Sequence, residues 1–292
     1  MYFYLVYFFI YAFLGWCTEV VFAAVNQGKF VNRGFLNGPV CPIYGFGLVA
    51  VVLLLTPLKE NLLLLYLGSV VVTSLIELVT GYVMEKLFHQ RWWDYSKQPL
   101  NIGGYVCLKF SLLWGFACIL IVDVIHPLIA GVVSLLPTWI GWMAAGVFSA
   151  MIVADTVVTV ISVNRMNQRL KQLEEVGKLL HSLSDSIGGT VAETAIAAEK
   201  KKIELREGVE QKKTELLEET ERKKQELADA AAKRREEAEQ RREALLSELS
   251  RRHGRFMEAF PDLRSVLHSE ALEQVKEQLQ KRKQEGHGAA KK

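Results

Sequence analysis

The chain has 292 residues, half of them hydrophobic, with 35 Lys and Arg against 32 Asp and Glu and a formal net charge of +3. Residues 1–163 hold only 7 basic and 7 acidic side chains, and residues 164–292 hold the other 28 and 25. A tail so nearly balanced excludes a nucleic-acid domain, which would gather basic charge on one surface. The four cysteines, Cys17, Cys41, Cys107 and Cys118, make no CxxC pair and give neither a disulfide framework nor a zinc spacing.

A helix crosses a bilayer with about 20 mainly apolar residues. Residues 2–25 are the first predicted span. They lack the positive n-region and small-residue cleavage site of a signal peptide, so the span is expected to be retained. Further spans are predicted at residues 39–58, 62–84, 104–125 and 139–163. Residues 126–138, bracketed by Pro127 and Pro137, are too short to cross and are predicted to be interfacial or re-entrant. Lys29 and Arg33 fall in the first loop, Lys86, Arg91 and Lys97 in the third, and Arg165, Arg169 and Lys171 after the last span. The second loop holds only Lys59, and the fourth no Lys or Arg. Basic excess marks the cytoplasmic side. A multi-pass plasma-membrane protein follows, with its N-terminus outside and loops one and three and the tail inside. The predicted class is all-α: a polytopic membrane bundle of about five helices with a long cytoplasmic helical or coiled-coil tail.

Four ionisable residues, Glu19, Glu77, Lys109 and Asp155, lie inside four different spans, each roughly 8–12 Å from the predicted cytoplasmic end. Burying a charge mid-membrane costs roughly 2.5–3.5 kcal/mol on insertion scales, and such residues usually face a bundle interior or a wet cavity. Asp123, at the outer end of the fourth span, reads as interfacial. Glu77, Gly81 and Glu85 share one helix face. Two readings stay open: a shared cavity for a solute or ion, or structural glue and snorkelling side chains. A lone carboxylate there would tend to take a proton, so pairing with Lys109 or a loop Arg is expected. The first loop reads Asn32-Arg33-Gly34-Phe35-Leu36-Asn37-Gly38-Pro39-Val40-Cys41-Pro42-Ile43-Tyr44-Gly45. The third contains Trp92-Trp93-Asp94-Tyr95-Ser96 and Asn101-Ile102-Gly103-Gly104. Gly, Pro and Asn at this density suit tight irregular backbone. The loops, with Glu85, read as a cytoplasmic gate over the polar layer.

Residues 164–187 place Leu173, Val176, Leu180, Leu183 and Ile187 at heptad-like spacing, a juxtamembrane seam that ends at Gly188-Gly189. Residues 191–253 predict a charged long helix reaching roughly 90 Å, and residues 256–283 an amphipathic helix carrying Leu263, Val266, Leu267, Val275 and Leu279. The tail is either a stalk with a partner-binding tip or a solvating extension.

Gly15-Trp16-Cys17-Thr18-Glu19, the Asn32–Gly45 string, Glu77 with Thr80-Gly81 and Glu85, and the two third-loop strings together resemble the CmpB-like, ABC-transporter type IV family of bacterial membrane permeases. The likeness covers about the first 160 residues, and Phe256-Met257-Glu258-Ala259-Phe260-Pro261 is similar to a stretch late in family members. The resemblance implies a permease component in a bacterial cell membrane. No GxxxxGK[ST] phosphate loop is present, so any ATPase is expected to be a separate subunit. No nucleophile–His pairing or metal spacing accompanies the carboxylates, so neither catalysis, cofactor nor metal is expected. Expected partners are the lipid bilayer, that ATPase, and a second copy or another protein held through the tail. The alternative is a membrane-anchored scaffold whose tail recruits partners. Deletion of residues 191–292 separates the two, since a scaffold would then lose its function.

Overall fold

The computed structural model describes residues 2–204 and 210–289, and the side chains of residues 2–185, 196, 221–222 and 224–285. The elements are α1 (Tyr2–Gln27), α2 (Pro42–Leu55, continued by a 3-10 turn Thr56–Leu58), α3 (Leu62–Phe88), β1 (Gln90–Arg91), β2 (Asn101–Ile102), β3 (Val106–Cys107) and α4 (Leu108–Leu120). A π turn (Ile121–Ile125), α5 (His126–Ser134), α6 (Thr138–Glu204), α7 (Glu210–Ala259), β4 (Arg264–Ser265) and α8 (Ser269–Ala289) follow. The chain is all-α apart from two short antiparallel pairs, β1–β4 and β2–β3. It divides into two units, Met1–Met166 with Arg252–Ser269, and Asn167–Arg251 with Glu270–Lys292.

In the first unit, α1, α3, α4–α5 and the start of α6 are long and apolar enough to cross a membrane. Their outward faces carry Val21, Phe22, Leu63, Phe116, Met143 and Val153, all exposed. Apolar surface on that scale is what lipid covers. Interior packing is narrow: Val51, Leu55, Leu65, Cys118 and Val122 form one cluster, and Tyr7, Tyr11, Val52 and Val133 another. Helices α1 and α2 meet closely through two glycines. A Cβ on Gly15 would lie 2.3 Å from Tyr44, and one on Gly45 would lie 2.7 Å from the Phe8 carbonyl.

Three expectations about the spans are corrected. The second helix starts at Pro42, not residue 39, because Cys41 is extended (φ −120°) and Pro42 begins the first turn. The fourth starts at Leu108, not residue 104, because residues 101–107 form a hairpin. Residues 126–134 do not form a separate short segment, since α4 continues through the π turn into α5 as one apolar helix, Leu108–Ser134. Pro127 lacks an N–H and its ring would strike the carbonyl one turn back. The π turn, in which His126 N–H reaches the Ile121 carbonyl, widens that stretch. The chain then turns at Leu135–Pro137.

In the second unit, Leu170, Leu173 and Val176 of α6 are buried, as are Leu245, Leu246 and Leu249 of α7 and Leu272 and Val275 of α8. Arg169 pairs with Glu248 (3.4 Å), Arg242 donates to Gln274 (3.0 Å) and Arg282 to Ser247 (2.8 Å). The Ile187 side chain of the expected seam lies outside the described residues, and α6 continues through Gly188-Gly189. The last turns of α7, from Arg252 to Ala259, belong to the first unit and pack on its loops.

Candidate functional site

The first loop is built around Asn32. Its side-chain oxygen accepts from Trp16 Nε1 (2.8 Å) and from Gly34 N–H (3.1 Å), and its amide donates to the Asn37 carbonyl (2.7 Å). That turn projects Arg33 back toward α1, where its Nε lies 3.1 Å from Glu19 Oε2 and its guanidinium rests on the Phe22 ring. Tyr44, seated against Gly15, donates to Glu19 Oε1 at 2.6 Å. Glu19 is therefore paired with a loop arginine, as expected. Cys41 is buried at the start of α2, with its N–H on the Ala12 carbonyl (2.9 Å). Pro39 and Pro42 flank it and keep this stretch out of the helix until residue 42.

Asp155 closes the same loop from α6. It accepts from Asn37 N–H (3.1 Å), Asn37 Nδ2 (2.8 Å), Gly38 N–H (2.7 Å) and Thr159 Oγ1 (3.3 Å). This carboxylate is occupied in fixing backbone.

The third loop is organised by three acids. Glu77 accepts from the Tyr95 hydroxyl. Burial first, then the charge and hydrogen bond of Glu77, raise the Tyr95 phenol well above its ordinary value, so it stays a donor. The Glu19 charge is also felt at Tyr95, as the smallest of the influences that raise its phenol. The second oxygen of Glu77, Oε2, is buried and has no hydrogen-bond partner among the described residues. Glu85 pairs with Arg91 (2.5 Å) and accepts from Tyr105 (2.8 Å). Asp94 accepts from Ser96 N–H (2.9 Å), from the Ser96 hydroxyl and from Arg264 (2.7 Å). Burial pushes its carboxyl up, but these bonds outweigh it and hold the group at about 2. Asn101 donates to the Gln98 carbonyl (2.8 Å) and accepts from Gly104 N–H (3.1 Å), while Trp93 donates to the Tyr105 carbonyl (2.9 Å). Gly104 has φ +76°, and a Cβ there would lie 2.6 Å from Ser96 Oγ.

Glu19, Arg33 and Tyr44 thus form one polar group and Glu77 with Tyr95 a second, near enough for the Glu19 charge to be felt at the Tyr95 phenol, with Asp155 holding the first loop. Lys109 does not join. As the second residue of α4 it is exposed over the Phe110 ring (5.8 Å), and among the described residues no carboxylate pairs with it. Two broad grooves lie elsewhere: an apolar one lined by residues such as Phe8, Phe46, Trp142 and Ile152, and one beside Tyr7 and His126. Neither is lined by Glu19, Glu77, Lys109 or Asp155.

The residue that sequence reasoning missed is Arg255, which donates to the carbonyls of Gly34 (3.1 Å), Phe35 (3.2 Å) and Leu36 (3.2 Å). Its signal was its place beside Phe256, where large apolar residues return after a charged helix. Arg264 on Asp94 was missed with it.

Comparisons with curated proteins and with solved structures return no match. The family model described as "Putative ABC-transporter type IV" matches residues 6–160, more than half of the chain. That match takes in Glu19, the Asn32-to-Gly45 loop, Glu77, the third loop and Asp155. The chain belongs to that family.

Proposed function

We propose that this chain is the membrane-embedded permease component of a transporter and that the Glu19–Arg33–Tyr44 and Glu77–Tyr95 cluster handles a small polar solute or ion. The observation that carries the reading is Glu77 Oε2, a carboxylate oxygen buried among apolar helices with no donor. A buried acceptor left unmet costs about 1–3 kcal/mol, more for a charged group. A passing proton, cation or solute N–H would remove that cost. On this reading the N-terminus faces outward and loops one and three face the cytoplasm, as their Lys and Arg favour. Energy comes from a separate ATPase, since the sequence carries no phosphate loop.

The test is binding of a panel of labelled amino acids, sugars and inorganic ions by the purified chain in detergent. Glu77→Gln is expected to weaken that binding at least tenfold while the fold stays intact; a parent chain that binds none of the panel sinks the reading.

A second reading, a membrane-anchored scaffold, is favoured by one observation. Asp155 and Asp94 are saturated with local donors and work as structural ties. A scaffold would tolerate Glu77→Gln and lose its function when the second unit is removed.

A further inference from the structure

Residues 253–266 lie against the two loops that flank the polar cluster. Arg255 gathers three successive carbonyls of the first loop, at 3.1–3.2 Å. Burial lowers its pKa from the ordinary value, and the Asp155 charge opposes that shift. Lys29 pairs with Glu258 (3.1 Å), and Ala23, Val31 and Ala259 are buried together. Trp92 of the third loop, 3% exposed, meets the rings of Phe256 (5.6 Å), Phe260 (5.1 Å) and Phe35 (5.0 Å). β4 pairs with β1, Val266 N–H reaches the His89 carbonyl (3.0 Å), and Arg264 reaches Asp94 (2.7 Å). One short segment therefore holds both loops. The carbonyls under Arg255 lead directly into Asn37 and Gly38, which Asp155 holds, and Arg33 of the same loop reaches Glu19.

We propose that residues 253–266 are a latch that keeps the two loops closed over the Glu19–Glu77 cluster, and that its release is what admits small molecules to that cluster. The inference does not depend on transport, because it concerns access to the cluster. Bare loop carbonyls solvate readily, whereas the apolar contact at Trp92 does not. A latch of this kind is strongest at the half-buried Arg255 guanidinium, where charge-assisted bonds contribute most.

Native cysteines report the state. Cys41 sits in the first loop beside Glu19 and Arg33, and Cys118 is buried in the helix interior. The full-length chain is prepared in detergent with Cys41 as its sole thiol, and in a second form with Cys118 alone, and each is labelled with N-ethylmaleimide. Arg255→Ala is expected to speed labelling of Cys41 by roughly tenfold or more, the ratio that loss of a charge-assisted bond brings, while Cys118 stays protected. Arg255→Lys keeps the charge but not the three-carbonyl fork, and is expected to fall between. Should Arg255→Ala fail to fold, Arg264→Ala gives the second readout, with the same increase at Cys41. Unchanged Cys41 labelling in both Ala variants overturns the latch. Equal acceleration at Cys118 also overturns it, since the segment would then be a general brace of the bundle.

Discussion

Asp94 and Asp155 are both saturated carboxylates, yet only Asp94 is placed to report on pH, because it lies in a loop and holds Arg264 from the far end of the chain. Its folded carboxyl titrates at about 2 against an ordinary 3.8. A depressed folded pKa stabilises the fold above the ordinary value, and that stabilisation is lost as pH falls through the folded one. The difference in melting temperature between the parent and Asp94→Asn is expected to be constant above about pH 5 and to shrink toward zero near pH 2. A difference that grew on acidification would contradict the geometry. For Asp155 the sequence shows only a short carboxylate that cannot snorkel, read there as a cavity residue; that Asn37 and Gly38 join Thr159 as its donors depends on a loop more than a hundred residues away. Lys109 was misjudged for an equally physical reason. Apolar composition runs back to Gly104, but the hairpin before Leu108 leaves the lysine at a helix mouth, and no hydrophobic period marks a hairpin two residues to a side.

The helices themselves were legible because apolar length is a strong signal. Their ends were not, because prolines and short turns decide them. Pro42 starts α2 where composition alone runs on from Pro39, and the π turn lets Pro127 sit inside a helix that its ring should stop. The contact between α1 and α2 rests on missing side chains, which a sequence shows only as glycines. Gly15→Ala would drive a methyl into Tyr44, and overpacking of this kind costs about 1–3 kcal/mol. It should also pull the Tyr44 hydroxyl away from Glu19. Thermal unfolding in detergent is expected to show a lower midpoint for Gly15→Ala in the parent chain and little further drop when Gly15→Ala is added to Tyr44→Ala. Additive losses in the double variant would mean that the two residues are not in register.

At the scale of the molecule, Phe256–Pro261 was noticed in the sequence, but its destination was not, since nothing local links residue 255 to residue 34. The contacts that result place Lys29, Asp94 and Glu258 on one face of the first unit. A crossing α2, shorter than the four long apolar helices, would put its connection to α3 on the other face. Cysteines substituted for Glu60 and for Lys97, each in a cysteine-free chain, are expected to react with an impermeant maleimide from opposite sides of a sealed vesicle. Same-side labelling would remove α2 from the set of crossing helices.

The separation of 221 residues between Arg255 and Gly34 has a consequence for synthesis. Ribosomes extend chains at about 5–20 residues per second, so the early hydrophobic segments are inserted roughly 10–45 s before their closing guanidinium exists. During that interval the newborn loop must find its donors in water or lipid headgroups, and the finished closure is available only to a chain translated past residue 255.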